Sequence, residues 1–138
     1  MSGGRVLGVD YGHVRIGLAV SDPDRKIAFP LEIYARRDAN ADAEYFRRLV
    51  AEQEIAAIVV GLPLHSGGEE GQKAGEARGF GKWLARVTAL PVMYFDERFT
   101  TVHAESALWQ AGLTHKKRKQ RRDKVAAQMM LQGYLEAQ

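Results

Sequence analysis

The sequence contains no cysteine among its 138 residues. Disulfide bonds and thiolate metal sites are therefore excluded, and the absence suits a reducing compartment. The chain also has no apolar run near the roughly 18 residues that a membrane-spanning helix needs. Its first residues, MSGGRVLG, lack the basic and then apolar pattern of a signal peptide. We expect a soluble, cytoplasmic protein without a membrane partner.

Two further absences narrow the chemistry. The glycine-rich loop in VGLPLHSGGEEG lacks the G-K-[ST] of a P-loop, and its two glutamates disfavour an anion. The four histidines do not form a metal-ligand set: His103 and Glu105 have the H-x-E spacing of zinc deaminases, but no cysteine completes that site. His65, on the same loop, can donate a proton, although a surface role is commoner for such a histidine.

The composition is that of a globular protein, with 46% hydrophobic and 27% charged residues. A chain of this length can bury one hydrophobic core. Because we find neither an internal repeat nor a linker, we expect a single domain that covers residues 1–138.

The positive charge is concentrated in one segment. Residues 114–124 include the run KKRKQRRDK and hold seven of the 20 lysines and arginines but one of the 17 acids. The other 13 basic and 16 acidic residues leave the rest of the chain at −3. Such asymmetry favours a localised contact with a polyanion such as a nucleic acid, whereas a solvated helix face is the alternative.

The hydrophobic pattern predicts an α/β domain. Short apolar or alternating runs predict strands, and spacings of three and four predict helices, one of them capped by Asn40. Pro30 lacks a backbone N–H, so the third strand should lie at the sheet edge. The expected strands are 5–10, 15–22, 26–34, 56–63 and 91–99, with helices from 40, at 70–87 and 102–111, and at the carboxyl end. Crossover rules then give a mixed sheet in the order 3-2-1-4-5, flanked by helices.

Carboxylates fall at the ends of the parallel strands. Strand one ends with Asp10 and strand five with Asp96 and Glu97, while Gly61 near the end of strand four leaves the space between them open. Strands one and five should lie about 10 Å apart across strand four. Such acids can share a cation, and all-oxygen ligands favour Mg²⁺ or Mn²⁺. Alternatively, Asp10 caps a turn and Glu97 pairs with Arg98.

Asp123 is the one acid inside the basic run. If the last helix packs back across the sheet, it can present Asp123 as a third metal ligand beside a cationic surface. We expect Arg98, Thr100 and Thr101 to position a nucleic-acid backbone. The residues expected to supply affinity for it are Lys116, Lys117, Arg118, Lys119, Arg121 and Arg122.

Four ordered motifs resemble the YqgF/RuvX family, the RNase H-like pre-16S ribosomal RNA nucleases that are also called Holliday-junction resolvases. The motifs are VLGVDYGHVRIGLAVSD, IVVGLPLHSGGEEG, DERFTT and RRDKVAAQMMLQGYL. The resemblance implies an RNase H-like fold and metal-dependent cleavage of nucleic acid in maturing the 5′ end of the small-subunit rRNA precursor. It implies an acidic triad of Asp10, Glu97 and Asp123. Adjacent strand residues face opposite ways, so Asp96 and Glu97 cannot both point into the site, and which of them is the inner ligand stays open. We favour Glu97.

Alternatives remain open at the level of sequence. The chain can be a nucleic-acid-binding module without catalysis. It can also be a kinase or ATPase of the actin-like group, because the segment GVDYG resembles the phosphate loop of those enzymes. The latter enzymes close two such domains over a nucleotide, and this length supplies one. Branched DNA and precursor rRNA both fit as substrates. No dimer face can be read from the sequence, so monomer and homodimer both stay possible.

Overall fold

The computed structural model describes residues 4–64, 67–97 and 115–138, with side chains in the last range from Val125 onward. The described residues form five strands and three helices. In chain order these are β1 (Arg5–Asp10), β2 (Arg15–Ser21), β3 (Ala28–Ala35), α1 (Ala39–Glu52), β4 (Ile55–Leu62), α2 (Gln72–Thr88), β5 (Val92–Asp96) and α3 (His115–Glu136).

The five strands make one mixed sheet in the order β3-β2-β1-β4-β5. β1, β4 and β5 are parallel, and β2 is antiparallel to both of its neighbours. The predicted order and the α/β class are therefore confirmed. Pro30 lies on β3, at the outer edge of the sheet as predicted, and pairs with Ala19 of β2.

Helices cover both faces of the sheet. Leu7 and Val9 of β1 point to the face covered by α1 and α2, where Phe46 and Phe80 are buried with them. Val6 points to the opposite face, which α3 covers. Strand side chains alternate between faces, so the apolar run of β1 supplies both cores.

Two local details differ from the sequence expectations. Helix α1 is capped by Asp38, whose Oδ1 accepts the backbone N–H of Ala41 at 2.8 Å, and not by Asn40. β5 ends at Asp96, earlier than expected. The helix predicted over 102–111 lies outside the described residues. Among the ranges described, no helix combines the length and apolar composition that crossing a bilayer requires.

Helix α3 lies directly on the backbone of β1. A Cβ atom on Gly8 would come within 2.8 Å of Leu131 Cβ, so the lack of a side chain at Gly8 permits this approach. At the carboxyl end of the helix, the Gln132 side chain accepts the N–H of Ala28 at 2.8 Å and donates to the Lys26 carbonyl at 3.0 Å. These contacts lie at the start of β3. Because β1 and β3 are both antiparallel to β2, the start of β3 lies at the same end of the sheet as the start of β1. The carboxyl end of α3 is therefore next to the amino end of β1, and α3 runs antiparallel to β1.

Candidate active site at the carboxyl edge of the sheet

The carboxyl ends of the parallel strands bring Asp10 and Glu97 together. Val9 pairs with Val60, and Gly61 pairs with Phe95, so β1, β4 and β5 end at about the same level. Asp10 is the last residue of β1, and Glu97 directly follows β5. In open α/β sheets this edge is where ligand sites form.

Glu97 reaches Asp10 across the strand between them. A Cβ atom on Gly61 would lie 2.8 Å from both Cγ and Cδ of Glu97, so the Glu97 side chain rests over the bare backbone of β4. From there it forms a side-chain hydrogen bond with Asp10. Gly61 thus leaves space at this edge, and the Glu97 side chain fills that space.

The carboxyl group of Glu97 is held in an environment that disfavours its charge. Burial, followed by the negative charge of Asp10, the hydrogen bond with Asp10 and the charge of Asp96, raises the pKa of Glu97 from 4.5 to about 9. Adjacent carboxylates repel one another unless a proton or a cation lies between them. The pair therefore binds a proton strongly at neutral pH, and a divalent cation can take that proton's place.

A cleft of about 290 Å³ opens above the two carboxyl groups. Its described lining includes Glu97 but not Asp96. The side chain of Asp96 still acts on the site through its charge. The lining residues are Asp10, Tyr11, Gly12, His13, Gly61, Pro63, Lys73, Glu76, Ala77 and Glu97.

Within the described side chains, no group of three histidine, aspartate or glutamate residues is arranged to hold a metal ion. The oxygen donors of Asp10 and Glu97 fit Mg²⁺ or Mn²⁺ in type, because these cations prefer carboxylate ligands. The described part of the site thus supplies two of the three predicted ligands, and their metal-binding role stays a prediction.

The third predicted ligand, Asp123, lies in α3, and the helical register gives its position. Residue 123 is one turn before Ala127 and two turns before Leu131, both of which are fully buried against the sheet. It is about 12 Å before Leu131 along the helix axis. Since α3 runs antiparallel to β1, this part of the helix extends towards the edge where Asp10 lies.

The predicted nucleic-acid-binding residues fall in two places. The basic run 116–122 belongs to the first turns of α3, so it is helical. Arg98, Thr100 and Thr101 lie outside the described residues, as does His65. Their roles stay predictions.

The structure adds cleft residues that the sequence patterns did not single out. His13 Nε2 lies 2.8 Å from Glu76 Oε2, and Lys73 lies beside them in the cleft lining. His13 belongs to the turn directly after Asp10, and Lys73 and Glu76 to the first turns of α2. The only sequence signal for these residues is their position, in a turn and at a helix start that follow the strands with the predicted acids and Gly61. That position does not distinguish them from ordinary surface residues.

Comparison with known sequences gives a consistent result. The family profile of RuvX, described as Holliday junction resolvase, matches residues 4–137. A protein of Rhodopirellula baltica named "Putative pre-16S rRNA nuclease" is 51% identical over 134 residues, covering 97% of this chain and 78% of that protein. A protein of the same name from Anaeromyxobacter sp. is 42% identical and covers 96% of each chain.

Solved structures agree on the fold. Thermus thermophilus RuvC bound to a Holliday junction substrate aligns with a TM-score of 0.55 and 18% identity, covering 97% of this chain and 94% of that one. The Fowlpox virus resolvase with Holliday junction DNA aligns with a TM-score of 0.57 and 12% identity, covering 96% and 97%. These identities support the RNase H-like fold alone. The match over nearly the whole chain and the close curated relatives show that the chain belongs to the RuvX family.

Proposed function

We propose that the protein is a metal-dependent nuclease that hydrolyses phosphodiester bonds in structured nucleic acid. The observation that carries the proposal is the meeting of Glu97 and Asp10 over Gly61, in a cleft at the carboxyl edge of the sheet. Membership of the RuvX family and the names of its curated relatives support the same activity. The single domain 1–138 would carry the whole reaction site.

The proposed metal ligands are Asp10, Glu97 and Asp123, with Asp96 contributing charge or a further oxygen. When bound, Mg²⁺ or Mn²⁺ would polarise the phosphodiester and lower the pKa of the attacking water. Asp10 and Glu97 hold their oxygens close enough to share a hydrogen bond, so the two ligands are already gathered before a cation arrives. Gly61 keeps the space over β4 free for the Glu97 side chain.

Further parts of the proposed machinery lie on α3 and directly after Glu97 in the sequence. Its register, one turn before the buried Ala127, supports a position for Asp123 on the side of the helix that faces the sheet. The basic residues around it, at 116–122, would hold the phosphate backbone while the carboxylate serves the cation. Arg98, Thr100 and Thr101, which follow Glu97 in the sequence, would position the same backbone nearer the reacting bond.

We favour pre-16S rRNA as the substrate, because the curated relatives at 51% and 42% identity are named "Putative pre-16S rRNA nuclease". Cleavage at the 5′ end of this precursor is what the family resemblance implies. This substrate places the protein in the cytoplasm, in ribosome biogenesis. The second candidate is a four-way DNA junction in recombination or repair, which the family description favours. A junction has two strands to cut, so it would call for a homodimer, whereas an RNA precursor would not.

The triad is tested by Asp10→Asn and Asp123→Asn. Each change keeps the shape of the side chain and removes its charge, so cleavage in Mg²⁺ or Mn²⁺ should fall at least about 100-fold while nucleic-acid binding persists. Asp24→Asn, an exposed acid in the turn between β2 and β3, is the matched control and should cut at the wild-type rate. Wild-type cleavage by both triad variants would show that the mechanism is wrong.

Parallel assays on a pre-16S rRNA fragment and a four-way junction decide between the substrates. Preference for the RNA supports rRNA processing, and preference for the junction, with symmetric cuts, supports the resolvase. Binding of both without any metal-dependent cleavage would instead support a binding module that does not cut.

A further inference from the structure

Two cavities meet beside the carboxylate pair. The first, of about 290 Å³, contains Asp10 and Glu97. The second, of about 570 Å³, runs from it past the start of α2, along Gly71 and Gln72. The residues that line both cavities are His13, Pro63, Lys73 and Glu76. A groove thus continues from the proposed reaction site over the amino end of α2.

The groove is poor in positive charge near the carboxylates. Asp10, Glu97 and Glu76 are three acids in its described lining. Of the described lining residues of both cavities, Lys73 alone carries a permanent positive charge. A polyanion that approaches Asp10 and Glu97 along this route would meet three acids and, among the described lining residues, Lys73 as the one side chain with a permanent positive charge.

Lys73 is not occupied by an ion pair within the described structure. Glu76 is three residues further along α2, on the same side of the helix, but its Oε2 lies 2.8 Å from His13 Nε2. No described acidic side chain lies within ion-pair distance of Lys73. The Lys73 side chain is exposed to solvent at the junction of the two cavities.

We propose that Lys73 binds a backbone phosphate of the nucleic-acid strand next to the phosphate that is cleaved, and so sets the register of the strand over Asp10 and Glu97. This inference rests on the proposed nuclease function. Phosphate contacts fix the position of a protein on a nucleic acid, and the lysine ammonium provides three donors and a full charge for one phosphate. The second cavity then takes the continuing strand.

The test compares Lys73→Ala with Lys82→Ala. Lys82 is an exposed lysine on the same helix that lines neither cavity, so its removal changes the net charge equally. Binding is measured in the Asp10→Asn background against a pre-16S rRNA fragment and a four-way DNA junction, and cleavage in the wild-type background. Lys73→Ala should weaken binding several-fold and make the slope of log K against log salt shallower by about 1. Lys73→Arg should retain most of the affinity, and Lys82→Ala should match wild type.

The outcomes separate the two proposals. If wild type cleaves and Lys73→Ala binds and cleaves like wild type, Lys73 has no such role and the nuclease proposal stands. Equal losses of binding affinity in Lys73→Ala and Lys82→Ala would mean that the overall positive charge of α2, and not a contact made by Lys73, supports binding. That result would also overturn the inference. If the wild-type protein shows no metal-dependent cleavage, the proposed function fails, and the role of Lys73 fails with it.

Discussion

Gly61 is the residue that lets two distant acids meet. It lies on the strand between Asp10 and Glu97, and the Glu97 side chain crosses the place where a Cβ atom would stand. Gly8 on β1 also has a close contact, but with the Leu131 side chain of α3. The two glycines on adjacent parallel strands therefore have different roles. Gly61 makes room for a side chain of the candidate site, and Gly8 makes room for the packing of α3.

We predict that Gly61→Ala leaves the protein folded but abolishes metal-dependent cleavage. Because the new methyl group meets the flexible end of Glu97, the side chain can swing away, and the carboxylate then leaves Asp10. Thermal unfolding should change little, while the stabilisation by Mn²⁺ should disappear. In the comparison variant Gly8→Ala, the methyl group meets a buried leucine on a helix, so unfolding free energy should drop by about 1–3 kcal/mol. Full activity in Gly61→Ala would refute this role for Gly61.

Glu97 gives a second prediction at this scale, concerning pH. Its pKa is higher in the folded protein, about 9, than its ordinary value of 4.5, so the folded state binds more protons between these values. The stability that this proton contributes is present in full below about pH 4.5 and is lost as pH rises towards 9.

In metal-free buffer, Glu97→Gln should therefore unfold several degrees above wild type at pH 8, and the difference should vanish near pH 4. Added Mn²⁺ should raise the melting temperature of wild type at pH 8, because ligands that bind the folded state stabilise it, but not that of Glu97→Gln. Differential scanning calorimetry with EDTA and with Mn²⁺ measures both effects. Asp24→Asn is again a suitable control. A pH profile of Glu97→Gln parallel to that of wild type would contradict the elevated pKa.

The site was partly predictable residue by residue. Asp10, Gly61 and the neighbouring acids Asp96 and Glu97 follow from the rule that parallel strands share a carboxyl edge, which needs only strand boundaries and order. The choice of Glu97 over Asp96 does not follow from this rule and rests on the family resemblance. Lys73 and His13 do not follow, because their place in the cleft depends on the course of a turn and on how α2 rotates against the sheet. No local pattern in the sequence determines either.

At the scale of elements, a buried carboxylate joins β3 to α1. Asp42 Oδ1 accepts the Tyr34 hydroxyl at 2.5 Å and the Arg37 backbone N–H at 2.9 Å. Its Oδ2 lies 3.6 Å from Arg36 Nε, and Arg36 Nη1 donates to the Tyr11 hydroxyl at 3.0 Å. Since Tyr11 directly follows Asp10, this network runs from the helix to the rim of the candidate site.

We predict that Asp42→Ala lowers the free energy of unfolding by about 3 kcal/mol. The change removes the buried acceptor of two hydrogen bonds and leaves the partly buried Arg36 without its counter-ion. Glu44→Ala, on the exposed side of the same helix, breaks a 3.9 Å pair with Arg48 and should shift stability by less than about 0.5 kcal/mol. Urea unfolding of both variants measures the difference. If the two lose equal amounts, the network contributes no more than a surface pair.

The sequence pattern located α1 but not this network. Periodic apolar residues predict the helix, but the predicted cap Asn40 is wrong, because the helix already begins at Ala39 and Asp38 caps it. Asp42 reads as an ordinary acid in a first helical turn. Its burial results from the stacking of β3 against α1, a tertiary contact that local propensity does not contain.

For the whole molecule, the sheet order was predictable because few topologies satisfy the crossover rules once five strands are assigned. Those rules also determine which strands are parallel and so end at the same edge of the sheet, where a site can form. The path of α3 was not fixed in this way. A helix at the end of a chain can pack on either face, and the close contact of Leu131 with Gly8 shows which face and direction it takes.

The direction of α3 gives the molecule an uneven charge. Residues 116–124 carry a net +6 and lie in the amino-terminal part of the helix, which extends towards the edge with Asp10 and Glu97. α1 and α2 lie on the opposite face of the sheet. A nucleic acid bound at the candidate site would therefore meet the basic run, whereas basic residues on α1 would stay remote from it.

We predict that this arrangement appears in the salt dependence of binding. Each phosphate neutralised contributes about 0.9 to the slope of log K against log salt on duplex DNA, so Lys116→Gln with Lys117→Gln should make the slope shallower by up to about 2. Arg47→Gln with Arg48→Gln removes the same charge from exposed positions on α1 and should leave the slope unchanged. Fluorescence anisotropy on a four-way junction, from low to moderate salt in the Asp10→Asn background, measures both. Equal changes in the two double variants would mean that net charge, and not the position of α3, governs binding.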